Sequence, residues 1–236
     1  MRRTKCLFTI IGIVLGLMTP GRMAFADDGD RLPPLPVLTG QWWQWAYSIP
    51  LSQNPLTDET GDRCMIGQRG SIWFLAGVGN TTGLATRTCS VPEDIPLFFP
   101  VINIVNFNSP NHCFNGPTPL TLKDLRKFVA TPIDGVSNKS LKVDGQFKNN
   151  LIHRVQSEVF EVALPGSGPG PSFDNLCVDL PEGIYSPAVD DGYYVLLAPL
   201  SRGNHTIHFQ AESHSSFGDF TQNITYNLTV EKVSLH

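Results

Sequence analysis

The sharpest pattern in the chain lies near its C-terminus. Phe220, Gln222, Ile224, Tyr226, Leu228 and Val230 fall on one parity. Thr221, Asn223, Thr225, Asn227, Thr229 and Glu231 fall on the other. Such alternation marks a half-buried strand, because successive side chains leave opposite faces. Upstream, Ile207, Phe209 and Ala211 alternate with Thr206, His208 and Gln210, and residues 193–198 are apolar throughout. Three strands so closely spaced, with Gly218-Asp219 as turn chemistry, predict antiparallel pairing. Residues 71–78 and 96–107 are unbroken apolar runs that suit buried strands, and Pro100 predicts an edge, a bulge or a break in the second. Residues 141–147 and 152–164 read as further strands about a turn at Asn149-Asn150. The glycine-rich stretch 77–83 reads as a hairpin turn, Asp190-Asp191-Gly192 as another turn, and Gly166 to Pro171 as a loop.

Two helices are expected. Thr39 predicts the cap of a short helix carrying Trp42, Trp43, Trp45 and Ala46 and ended by Pro50. Thr121 and Asp124 fit a capping box for a helix over 121–130, with Leu122, Leu125 and Val129 on one face and Pro132 closing it. The pattern predicts a mainly β fold, an antiparallel β-sandwich or jelly roll with one or two short helices, in one domain over residues 39–236.

The first 38 residues do not belong to that pattern. Arg2, Arg3 and Lys5 precede an apolar run over 7–18, and Ala24-Phe25-Ala26 supplies a cleavage site, so residues 1–26 predict a secretory signal peptide. The run is too short to span a bilayer, which needs about 20 residues, and no later stretch is long and apolar enough. Residues 27–38 read as an acidic, then proline-rich leader. Secretion changes the charge balance. The whole chain has 17 basic and 21 acidic residues. Without residues 1–26 it has 13 and 21, a net charge of −8, which argues against nucleic-acid binding driven by charge. It also leaves four cysteines, enough for two disulfides with three possible connectivities. Loop-closure entropy favours the local pairs Cys64–Cys89 and Cys113–Cys177.

No strong catalytic motif is present: no H-E-x-x-H, no G-x-S-x-G and no phosphate-binding loop. Asp58, Glu59, Asp62 and Arg63 form a charged loop before Cys64. Its spacing matches no calcium loop, and no metal or cofactor is expected. His205 and His208 have opposite parity, so one faces the core side and the other, His208, the polar face, with Glu231 as its expected neighbour. Trp42, Trp43 and Trp45 offer either a surface for stacking on sugars or a partner, or a cap on one end of the sandwich. Asn80, Asn138, Asn204, Asn223 and Asn227 begin N-x-S/T sequons, three of them on outward parity.

Several stretches, WWxW at 42–45, NPLTDETGDRC at 54–64, GQxGxxWFLAG at 67–77, RTCSVP at 87–92, PLFFPVIN at 96–103, DGYYVLLAPL at 191–200 and GNHTIHF at 203–209, resemble an uncharacterised family of exported bacterial proteins. The resemblance implies a secreted, compact, β-rich domain and brings no catalytic residue with it. The expected function is a secreted, non-enzymatic binding module for a surface glycan or protein. Its candidate residues are Trp42, Trp43, Trp45, Asp58, Asp62, Arg63, Arg87 and His208. The competing expectation is a secreted hydrolase built from the Asn54–Arg63 loop with Arg87 or His208.

Overall fold

The structure is a computed structural model that describes residues 32–79, 83–109, 115–166, 176 and 180–232. The expected signal peptide over 1–26, residues 27–31 of the expected leader, Asn80, Cys113 and Cys177 lie outside them. Strand β9 (Gly203–Ser215) and strand β10 (Gly218–Glu231) form the hairpin that the alternation predicts, paired from Gly218↔Ser215 to Val230↔Gly203. Gln222, Ile224, Tyr226, Leu228 and Val230 are buried, whereas Phe220 at the turn end is exposed.

Among the described residues, ten strands make two five-stranded sheets. One has the order β2 (Leu84–Pro92), β10, β9, β4 (Val136–Val143), β5 (Gln146–Phe147). The other runs β1 (Trp73–Phe74), β3 (Leu97–Phe107), β8 (Gly183–Leu197), β6 (His153–Gln156), with β7 (Phe160–Leu164) also pairing with β8. The result is a β-sandwich. Each sheet carries one parallel pair, β1 with β3 and β2 with β10. Two local readings change. The strands on either side of residues 77–83, β1 and β2, lie in different sheets and are not paired as a hairpin. Asp190-Asp191-Gly192 is no turn but the middle of β8. The last three strands are not one meander either, since β8 lies in the opposite sheet from β9 and β10.

Two cores explain the unbroken apolar runs. Phe99, Val101 and Val195 pack between the sheets against Ile207, Phe209 and Tyr226, with Phe99 and Phe209 stacked at 5.1 Å. On the opposite face of the same sheet, Phe98, Tyr194, Ala188 and Val162 pack against helix α1 (Leu35–Ser48). A strand buried on both faces loses its alternation, which is why β3 reads as a solid run. Pro100 sits beside a register shift in β3, between Pro100 and Ile102.

Helix α1 begins four residues before Thr39, at Leu35 after Pro34, so residues 35–38 of the expected leader are helical and Leu38 is fully buried. Thr39 does not cap it; its hydroxyl donates to the Pro36 carbonyl at 3.2 Å. Pro36, in the first turn, removes an N–H that would have had no partner there. Helix α2 (Leu122–Asp134) has the capping box formed by Thr121 and Asp124. It runs through Pro132 and buries Leu125, Val129 and Ile133.

Cys64 and Cys89 are bonded, with Cα atoms 6.2 Å apart and a sequence separation of 25. The bond anchors the irregular segment before β1 to β2. In a chain-entropy account, closing that loop stabilises the fold by about 3 kcal/mol. The double variant Cys64→Ser/Cys89→Ser is therefore expected to lose about that much in urea unfolding. A loss below about 1 kcal/mol would mean that the loop is already constrained in the unfolded chain.

Candidate functional site

A cleft of about 670 Å³ lies along β3 between α1, α2 and the turn of the β9–β10 hairpin. Trp43 and Tyr47 of α1 line one wall. Phe128, Pro132 and Ile133 of α2 and Phe217 and Phe220 of the hairpin line others, and residues 102–105 of β3 also line it. Phe217 and Phe220 are 54% and 41% exposed, and Phe128 stands 4.9 Å from Phe217. These rings leave apolar area in water beside an apolar cleft. A second groove of about 420 Å³ lies between α1 and β7, with Gln41, Gln44, Glu158 and Glu161 on its walls.

A hydrogen-bond chain holds the α1 side of the main cleft. Asn103 Nδ2 donates to the Tyr194 hydroxyl at 2.9 Å, and that hydroxyl donates to Asp190 Oδ2 at 2.7 Å. Trp43 Nε1 donates to the same oxygen at 2.8 Å. The indole of Trp43 thus lines the cleft with its ring while its N–H is secured behind the wall. Tyr194 stacks on Phe98 at 5.3 Å. Gly192 makes room for this arrangement: a Cβ there would stand 2.6 Å from Asn103 Cβ and 2.8 Å from the Tyr194 ring.

Asp190 is fully buried, and its Oδ1 makes no hydrogen bond. The Thr39 hydroxyl, which donates to the Pro36 carbonyl at 3.2 Å, exerts a weaker lowering pull on this carboxyl. Burial pushes the Asp190 carboxyl up to about 7, against the opposing pull of the Tyr194 and Trp43 donors, and the neighbouring Asp191 adds to the rise. Burial likewise pushes the Tyr194 hydroxyl upward, with Asp190 adding to it. Asp191, on the other face of β8, is held by Arg154 through bonds of 3.1 and 2.9 Å and by Gln156 at 3.0 Å. Arg154 also meets Asp134 of α2 at 2.7 Å. The two adjacent acids thus tie β8 to α1 on one face and to β6 and α2 on the other.

The tryptophans form no exposed stacking platform. Trp42, Trp43 and Trp45 are 0%, 8% and 7% exposed. Trp42 and Trp45 donate to the carbonyls of Leu75 and Ile66, both at 3.0 Å. They fasten α1 to the outer face of the β3–β8 sheet, and Trp43 alone reaches the cleft.

Arg87 is 1% exposed and spends its guanidinium inside the molecule. It donates to the carbonyls of Asp58 (2.7 Å), Ala76 (2.7 Å), Pro55 (3.0 Å) and Gly77 (2.9 Å), and to the Tyr226 hydroxyl (2.8 Å). The Asp58 carboxylate accepts from the main chain of Thr60, Gly61 and Arg63 and from the Thr60 hydroxyl. Burial alone would raise its pKa, but these donors together lower it. Asp62 is exposed, and Arg63 donates to Thr57 at 3.2 Å. His208 bonds Asn223 at 2.9 Å and faces Thr225 of β10, not Glu231. Arg87 pairs with Tyr226 on the inward face, so His208 and Arg87 lie on opposite faces of one sheet. Arg87 is thus joined to the Asn54–Arg63 loop through main-chain carbonyls, His208 stands apart from it, and none of these residues lines the cleft. His205, on the inward parity at the strand end, bonds Asp144 at 2.8 Å.

Comparison with protein-family models and with curated proteins finds no match to this chain. The parts of the site that sequence reasoning missed are Asn103, Asp190, Tyr194 and the two hairpin phenylalanines. One signal was present: Asp190-Asp191 lies between the apolar stretches Ala188-Val189 and Tyr193–Leu197, where a strand is as natural as a turn. Gln222, polar on an apolar parity, is explained by its side chain, which bonds both main-chain groups of Val78.

Proposed function

We propose that the protein is an exported, disulfide-stabilised β-sandwich that binds another protein in the cleft between α1, α2, β3 and the β9–β10 turn. One observation carries this reading: the apolar cleft is flanked by exposed Phe217 and Phe220 and backed by a wall that hydrogen bonds hold rigid. Aromatic anchors in a preorganised apolar recess favour protein ligands, because little ordering cost remains on binding. A sugar would need a denser set of polar groups than Asn103, Ser213, Ser215 and Asp219 supply. Export is supported by the signal pattern of residues 1–26, by the Cys64–Cys89 bond, which suits an oxidising compartment, and by the resemblance to exported bacterial proteins. Among the described residues no helix is long and apolar enough to cross a membrane.

The test is panning of a random peptide library against the protein, counter-screened on Phe217→Asp. Phe217 is mostly exposed, so the variant is expected to fold. Binders are expected to enrich on the native protein and to lose at least tenfold in affinity on the variant. No enrichment, or binders indifferent to Phe217→Asp, would refute the cleft as the binding site.

A further inference from the structure

Among the described residues, the floor of the cleft is an unpaired sheet edge. Strand β1 lies against β3 only at Trp73↔Leu97 and Phe74↔Phe98, with one more bond from Leu75 N–H to the Phe98 carbonyl at 3.1 Å. The chain is then drawn away to the other sheet, where Tyr226 and Gln222 hold the main chain of Ala76 and Val78. Among the described residues no strand covers that edge of β3 past Phe98.

The other edge of β3 is paired with β8 as far as Phe107↔Ala188. In an antiparallel pair, main-chain groups point alternately toward the partner and away from it. Asn108 N–H donates to the Pro187 carbonyl of β8 at 3.0 Å. Asn106 and Ile104 therefore also face β8, while Phe107, Val105 and Asn103 present their N–H and C=O groups to the open side. Phe107 is capped: its N–H meets Asn106 Oδ1 at 2.9 Å, and its carbonyl meets Asn115 Nδ2 at 2.8 Å. Asn103 and Val105 have no such caps among the described residues. Residues 103–105 are half-buried, whereas 101–102 and 106–107 are buried, so the edge opens where its bonds are unmade.

We propose that an extended peptide segment of a partner protein pairs with β3 at Asn103 and Val105 as an added strand. Alternate apolar side chains of that peptide sit between Trp43 and Phe217. This rests on the cleft being the binding site and names what it binds. The added strand continues the pairing that β1 starts and abandons, and main-chain groups about 6.7 Å apart along one edge match the repeat of an extended peptide. Asp219, on the rim, is the charged residue of the lining and is bonded to His214 at 2.9 Å, so the charge that a partner meets is that of the whole protein, −8 without residues 1–26. A peptide flanked by Lys or Arg complements that net charge, whereas a second copy of this chain repeats it.

The probe is the capped peptide acetyl-Lys-Val-Thr-Val-Thr-Val-Lys-amide, titrated into the full chain by calorimetry. Two analogues are N-methylated at the residues of one parity or of the other. Saturable 1:1 binding is expected, weakened about tenfold by Phe217→Ala. One N-methylated analogue is expected to lose tenfold or more and the other little, because only one parity donates to β3. Equal affinity of both analogues, with Phe217→Ala still weakening binding, overturns strand addition and leaves the cleft reading standing. So does failure of the peptide to bind at about 1 mM, the weak end of specific association, when panning still yields cleft-dependent binders. Failure of panning as well removes the cleft reading itself. Sedimentation should show a monomer without peptide, and a dimer that the peptide dissociates would reassign the edge to a second copy.

Discussion

Asp190→Asn is expected to stabilise the protein above pH 7 by up to about 4 kcal/mol and to leave it little changed near pH 4. Burial raises the carboxyl to about 7 from its ordinary 3.8. The native state therefore holds a proton through a window in which the unfolded chain has released it. Its contribution is fully present below about pH 4, falls by about 1.4 kcal/mol for each pH unit up to about 7, and levels off above that. Trp43 and Tyr194 both donate to Oδ2, which leaves Oδ1 to carry the proton. In the Asn variant the carbonyl oxygen takes those two bonds, and the amide faces the Thr39 hydroxyl without any charge to desolvate. Subtracting the two urea-unfolding profiles across pH 4 to 9 isolates Asp190. Asp144, lowered mainly by its bond from the Thr206 N–H and then by His205, acts in the opposite direction in both proteins and cancels. The Trp43 indole N–H resonance should titrate near pH 7 in the native protein and stay flat in the variant. Parallel stability profiles for the two proteins would refute a protonated Asp190.

Arg87→Met is expected to cost about 4 kcal/mol, although it nearly conserves volume. The lost charge is not the main term. Arg87 has four carbonyls and the Tyr226 hydroxyl around it, with the Tyr226 ring centroid 5.4 Å from its guanidinium carbon. Methionine takes the donor from the Asp58 and Gly77 carbonyls, while Ala76 keeps its bond from Tyr226 and Pro55 its bond from the Asp58 N–H, and removing one side of a buried polar network costs several kcal/mol. Arg87→Lys should recover only part of the loss, because one ammonium cannot reach acceptors spread over a guanidinium fork. The corner binds residues 55–58 to 76–77, so limited proteolysis of Arg87→Met should begin near those segments. A cost below about 1.5 kcal/mol would show that water replaces the guanidinium there.

The comparison of pattern with fold turns on a few residues. The β9–β10 hairpin was legible because one of its faces is wet, which imposes period-2 alternation on Thr206 to Val230. The capping box of α2 was legible because Thr121 and Asp124 satisfy each other's neighbours locally. The tryptophan segment announced a helix but not its role, since the same residues suit an exposed platform and a buried seam, and only the apolar outer face of the β3–β8 sheet decides between them. Asp190 was read as a turn because Asp and Gly mark turns whenever nothing says what lies across from them.

The sequence by itself determined the class of fold, the Cys64–Cys89 bond and the faces of the outer strands, all consequences of local periodicity or short loop closure. The tertiary structure decided which face α1 covers, why Arg87 is buried, and that among the described residues β3 has an uncovered edge beneath an aromatic cleft. Those depend on contacts between residues far apart in the chain, such as Trp43 with Asp190 and Gln222 with Val78, and no local pattern encodes a partner at that distance.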